Sequence, residues 1–145
     1  MTRDDALQFA ASWIEAWNRR DIEQVLATFD DAVEFTSPRA LATVGVATVR
    51  GKQELRAYWQ TALARISSLR FVLDRALWDP ERRELAIVYM SQVNDEQKCV
   101  SENFCFGPNG TVNAVDVFHG VVRLPIPALQ LPADLPPSGR SDFRS

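Results

Sequence analysis

Residues of the kinds that usually announce a function are scarce in this chain. Among 145 residues there are two cysteines and one histidine. Cys99 and Cys105 stand six positions apart on one predicted strand, about 20 Å from each other in an extended chain, so they cannot bridge. No Cys-x-x-Cys pair or cysteine–histidine spacing suggests zinc, and no cofactor is called for. Long apolar runs are missing as well. None approaches the ~20 residues of a membrane span. The amino terminus, MTRDDALQFAASW, carries acids where a secretory leader needs a basic and then an apolar segment. A cytoplasmic location is the expectation. Nor is there a run of charge of one sign. The net charge is −3, and no basic patch interleaves with aromatics, which argues against nucleic acid as a partner. The scattered Arg and Lys residues suit a solvated surface.

What is present suits one folded domain. Hydrophobic residues make up 46% and charged residues 24%, enough to bury a core. Leu7, Ala10, Ile14 and Trp17 recur at three-to-four spacing, widened by Phe9, Trp13 and Ala16, and predict a helix over Asp4 to Arg20. Thr2 serves as its N-cap. Asp21 caps a second, short helix through Phe29. Ala32 to Thr36 alternates like a strand, and Ser37-Pro38 stops it. The stretch 39–50, rich in Ala, Val and Thr, is predicted as loop. Lys52 to Ile66 reads as a third helix, with Leu55, Tyr58, Trp59, Ala62, Leu63 and Ile66 inward.

Four strands follow, over Leu69 to Trp78, Leu85 to Val93, and two within Lys98 to Val122, with short turns at Asp79-Pro80, Asn94-Asp95 and Gly107-Pro108-Asn109-Gly110. Such spacing predicts an antiparallel meander, and helices before strands predict an α+β domain. One sheet face is covered by the helices; the free face is expected to pack on a second copy of the chain, making a homodimer. Residues 123–145, with five prolines, predict an extended arm rather than a sheet strand.

The last two strands carry the candidate site. Val100, Glu102, Phe104 and Phe106 share one face of the first, and Asn113, Val115, Val117 and His119 share one of the second. An acid and the single imidazole thus each sit on a largely apolar face. A buried carboxyl favours its neutral form; an imidazole set by a hydrogen-bonding partner can pass a proton. The turn register places Glu102 nearer Val115 or Asp116 than His119, so contact with His119 is diagonal or through water. Asp116 has the opposite parity. Competing structural roles are a rim glutamate paired with an arginine, a strand-end histidine satisfied by backbone, and aromatics that simply pack.

Several phrases resemble the nuclear transport factor 2-like superfamily, which includes ketosteroid isomerase, polyketide cyclases and scytalone dehydratase. They are WIEAWNRRDIEQVLATFDD (Trp13 to Asp31), VEFTSP (Val33 to Pro38), GKQELRAYW (Gly51 to Trp59) and NGTVNAVDVFHG (Asn109 to Gly120). The resemblance spans roughly residues 1–122. It implies a cystatin-like cone: three N-terminal helices packed on a curved, mainly antiparallel sheet that encloses a pocket. In ketosteroid isomerase relatives a general base stands just before a proline after the second helix. Here Phe35-Thr36-Ser37-Pro38 holds no carboxylate. Their oxyanion tyrosine and aspartate match Trp13 and Glu102, and a pocket aromatic matches His119. The resemblance therefore implies fold more than reaction.

These observations converge on a pocket lined by Trp13, Trp17, Tyr58, Trp59, Phe104 and Val117, with Glu102 and His119 as its polar groups. Its expected occupant is a small hydrophobic molecule. Two functions compete: a cofactor-free acid–base enzyme (isomerase, dehydratase, cyclase or hydrolase), or a non-catalytic ligand-binding or dimeric interaction module.

Overall fold

A computed structural model describes residues 1–123. The predicted arm, apart from Arg123, lies outside the described residues. Four helices and six strands follow in the order α1 (Arg3–Asn18), α2 (Ile22–Leu26), β1 (Phe29–Thr36), α3 (Pro38–Val44), β2 (Thr48–Arg50), α4 (Lys52–Ala64), β3 (Leu69–Asp79), β4 (Glu84–Val93), β5 (Glu96–Phe106) and β6 (Val112–His119). The strands form one curved sheet in the order β2-β1-β6-β5-β4-β3. β3 to β6 are the antiparallel meander, while β1 joins β6 in parallel and β2 caps the edge.

Local chemistry sets the element ends. Thr2 and Asp5 close a reciprocal capping box on α1. The helix buries Ala6, Ala10, Trp13, Ile14 and Trp17 against the sheet. Asn18 finishes it by clasping the backbone of Phe71 on β3, its amide donating at 2.9 Å and its carbonyl accepting at 2.7 Å. The stretch 39–50 is not a loop but α3 followed by β2. Ser37 caps α3, Pro38 opens it, and Gly45 ends it at a φ of 81° that only glycine adopts without cost. The apolar spacing predicts a third helix only after Gly51; the Ala/Val/Thr composition hides a short one before it.

Register decides which side chains meet. Asn94 and Asp95 alone separate β4 from β5, and Asn94 takes the positive φ that a two-residue turn requires. Val93 therefore faces Glu96, Tyr89 faces Val100, and Ile87 faces Glu102. Between β5 and β6 the pairing slips by one residue: Phe106 faces Val112, but Cys105 faces Ala114. Asn113 is the extra residue and is exposed, not on the inner face with Val115. That bulge also places Glu102 opposite Val117, not near Val115 or Asp116, and Val100 opposite His119.

The core lies between α1, α4 and the concave face of the sheet. Its centre is aromatic: Trp13 touches Phe71, Tyr89 and Phe104 at centroid separations of 5.3 to 6.0 Å. Trp59 meets Trp17, Phe29 and Phe35 edge-on. The convex face keeps Val72, Leu77 and Phe118 exposed.

Candidate functional site

Where α4 diverges from the meander, the concave face does not close. It leaves a cavity of about 80 Å³. One water needs only ~10–15 Å³ of such space. Trp17 of α1, Tyr58 and Trp59 of α4, and Phe71 of β3 form the apolar walls. Glu102, Val117 and His119 also line it, whereas Trp13 and Phe104 do not. Trp13 turns toward the sheet interior and Phe104 is fully buried beneath α1, so both are core and not wall. The difference is one of depth: Phe104 lies two residues farther along β5 than Glu102, past the point where the helices close on the sheet.

Glu102 is 5% exposed and has one protein partner, the hydroxyl of Tyr89, which donates to Oε1 at 2.8 Å. No arginine or lysine pairs with it among the described residues. Burial pushes its carboxyl up to about 8, opposed in part by the Tyr89 hydrogen bond. At neutral pH it is therefore a neutral acid whose Oε1 is occupied and whose proton on Oε2 remains to be donated. Tyr89 itself is held well above its ordinary value, first by burial and then by Glu102, so it stays a phenol. The sequence signal for Tyr89 existed. A two-residue turn at Asn94-Asp95 sets it diagonally next to Glu102 on the same face.

His119 stands one strand over. Burial, then the cations Lys98 and Arg39, push it down to about 4, so at neutral pH the ring is uncharged. Its Nδ1 lies 3.1 Å from Lys98 Nζ. With Lys98 as the ammonium donor, Nδ1 accepts and the ring proton sits on Nε2. Lys98 is 7% exposed and also lines the cavity. Ser37, at the position where a base would stand in ketosteroid isomerase relatives, is buried on the cavity wall and accepts from the Arg39 amide at 3.2 Å. Its hydroxyl is occupied as an N-cap. Arg39 and Ser91 complete the polar set. Lys98, Arg39, Ser37 and Ser91 escape sequence reasoning because they are scattered along the chain and meet only in the fold. None belongs to a motif.

No group of three or more His, Cys, Asp or Glu side chains that could hold a metal occurs among the described residues. No helix there is long and apolar enough to cross a membrane. Both cysteines are free, with Cys99 on the exposed convex face.

Comparison with known proteins places this geometry. A SnoaL-like protein of unknown function from Burkholderia thailandensis is 30% identical and superposes with a TM-score of 0.74, over 83% of this chain and 98% of that one. An NTF2-like protein of unknown function from Burkholderia pseudomallei is 20% identical, with a TM-score of 0.70 over 83% of this chain and 92% of that one. The epoxide hydrolase/cyclase-like enzyme SalBIII, which figures in pyran ring formation in the polyether salinomycin, shares the fold at 12% identity. Its TM-score is 0.67, over 83% and 96% of the two chains. No curated protein matches the sequence. A family model of SnoaL-like domains matches residues 10–119. The chain therefore belongs to the SnoaL-like domain family of the nuclear transport factor 2-like superfamily.

Proposed function

We propose that this protein holds a small hydrophobic molecule bearing an oxygen acceptor against Glu102, and that it acts on that molecule by cofactor-free acid–base chemistry. Isomerisation, dehydration, cyclisation and hydrolysis all begin with a proton or a strong hydrogen bond delivered to such an oxygen. The observation that carries this is a carboxyl group, 5% exposed, fixed by Tyr89 at 2.8 Å and lining a cavity with aromatic walls. Ketosteroid isomerase works by the same logic: an apolar site keeps an aspartic acid neutral so that it can donate a hydrogen bond. Here Tyr89 donates to the carboxyl group itself, so the dyad points one donor, not two, at a ligand.

His119 offers a second polar contact. As an uncharged ring it gives a proton poorly but accepts one transiently. Binding without turnover is favoured by one feature: among the described residues, Glu102 is the only carboxyl group lining the cavity. The two readings separate on Glu102→Gln. The amide keeps a donor of the same shape but has no proton to transfer. Trp17 and Trp59 line the cavity, so their fluorescence reports binding. For an enzyme, Glu102→Gln binds within about threefold of wild type yet loses about 10²–10³-fold in turnover. Equal turnover in both proteins would sink the acid role. Wild type that binds but turns over none of a panel of enones, epoxides and hydroxyketones would leave a binding protein.

A further inference from the structure

Lys98 is a buried amine that the acid chemistry of Glu102 does not use. It sits on the inner face of β5, 7% exposed, lining the cavity with its Nζ 3.1 Å from His119 Nδ1. Among the described residues no carboxylate lies within ion-pair distance of it. The charged and titratable groups around it are Arg39 from α3, His119 from β6, Tyr58 from α4, Tyr89 from β4, and Glu96 and Glu102 on its own strand. Burial opposes its charge first and Arg39 second, while exposed Glu96 favours it. An ammonium with no buried counter-ion is costly to keep, and a desolvated lysine tends toward the free amine. Once it gives up a proton, that amine stands beside a neutral imidazole in an apolar hollow, the arrangement carbonyl condensation needs.

We propose that Lys98 is a nucleophile that condenses with an aldehyde or ketone held in this cavity to form an imine. The proposal rests on the small-molecule role given above, and names the functional group it would take. The Lys98 ammonium first releases one proton to solvent; the Nζ lone pair of the resulting amine then attacks the carbonyl carbon, a C–N bond forms and the C=O π pair moves to oxygen. His119, already hydrogen-bonded to Nζ, takes one N–H proton at Nδ1 and passes it to that oxygen, giving a neutral carbinolamine. The nitrogen lone pair then expels the hydroxyl group. The second N–H proton leaves with it, through the same imidazole, as water. Amine and carbonyl become imine and one water, with no oxidant or further reactant. Ketone-directed elimination or carbon–carbon bond cleavage then becomes accessible, because an imine withdraws electrons more strongly than a carbonyl once protonated.

The chain contains only two lysines, Lys52 and Lys98, so the test is clean. Purified protein is incubated with cinnamaldehyde and sodium cyanoborohydride near pH 7, which fixes any imine as a secondary amine. Sites are then mapped by peptide mass spectrometry, and tryptophan quenching measures binding in the same samples. The expected result is one covalent equivalent at Lys98, about tenfold over half-exposed Lys52 and the Met1 amine, suppressed by excess cinnamyl alcohol. Saturable quenching with labels spread evenly over Lys52, Met1 and Lys98 would overturn the imine and leave the cavity a ligand site. Neither quenching nor selective labelling would overturn both. Because the decisive comparison is made within wild type, it does not depend on whether Lys98→Met folds.

Discussion

The burial that keeps Glu102 protonated also makes the fold sensitive to alkali. In the unfolded chain a glutamate loses its proton near 4.5, and here it does so near about 8. Between those values the unfolded state binds fewer protons than the native state, so stability falls as pH rises through that window. His119 works in the opposite sense. Its value drops from 6.5 to about 4, so the unfolded state binds more protons there and stability falls as pH drops through that lower window. The slopes oppose one another up to pH 6.5, above which the Glu102 slope stands alone. Denaturant midpoints should show wild type weaker at pH 8 than at pH 6.5, by on the order of 1–2 kcal/mol. Glu102→Gln should abolish that fall and be the more stable protein at pH 8. An identical alkaline slope in both would mean that the carboxyl group is solvated. Glu102 and His119 were legible as strand residues of one parity. Of their hydrogen-bond partners, Tyr89 was signalled only by the Asn94-Asp95 turn, and Lys98 by no single stretch, because it meets His119 across a strand pair whose register the Asn113 bulge resets.

At the scale of elements, α1 and α4 do different work. The α1 face with Trp13 seals the deep end of the concavity, touching Phe71, Tyr89 and Phe104, while Trp17 and Trp59 stand at the cavity itself. Trp13→Ala should cost about 3–5 kcal/mol of stability, the usual range for emptying a large aromatic site. It should also free Tyr89, so the alkaline fall of the Glu102 carboxyl changes even where the protein stays folded. The check is urea denaturation combined with the pH series above. A loss below about 1 kcal/mol would mean the indole is not central to packing. Helices α1 and α4 follow from apolar spacing. The short α3 does not, because a seven-residue stretch dominated by Ala, Val and Thr carries no decisive period; its Ser-Pro start and Gly45 end were the available signals. The bulge at Asn113 was invisible too. It is a response to two strands of a curved sheet having unequal paths, and it moves Glu102 one pair nearer His119 than straight register allows.

For the whole molecule, the convex face of the sheet carries apolar side chains that nothing among the described residues covers. Leu77, Phe118 and Val72 are 56%, 58% and 41% exposed there, flanked by Arg75 and Asp116 on the same side. We propose that a second copy of the chain covers this face and buries Phe118 at the centre, with Arg75 and Asp116 offering charges of opposite sign to a two-fold pairing. Phe118→Glu should then shift sedimentation from dimer to monomer at micromolar concentration without altering the circular dichroism of the fold; a monomeric wild type would refute the pairing. The amino-acid sequence by itself determined the α+β class, the meander, the family and the parity that turns Glu102 and His119 inward, since these follow from side-chain periodicity and turn chemistry, which are local. Only the tertiary structure decided that Trp13 and Phe104 fill the core while Trp17 and Trp59 border a cavity, and that Tyr89 and Lys98 are the partners of the acid and the imidazole. Those outcomes depend on strand register, sheet curvature and where the helices part from the sheet, and such distances are summed over many residues rather than written in any one stretch.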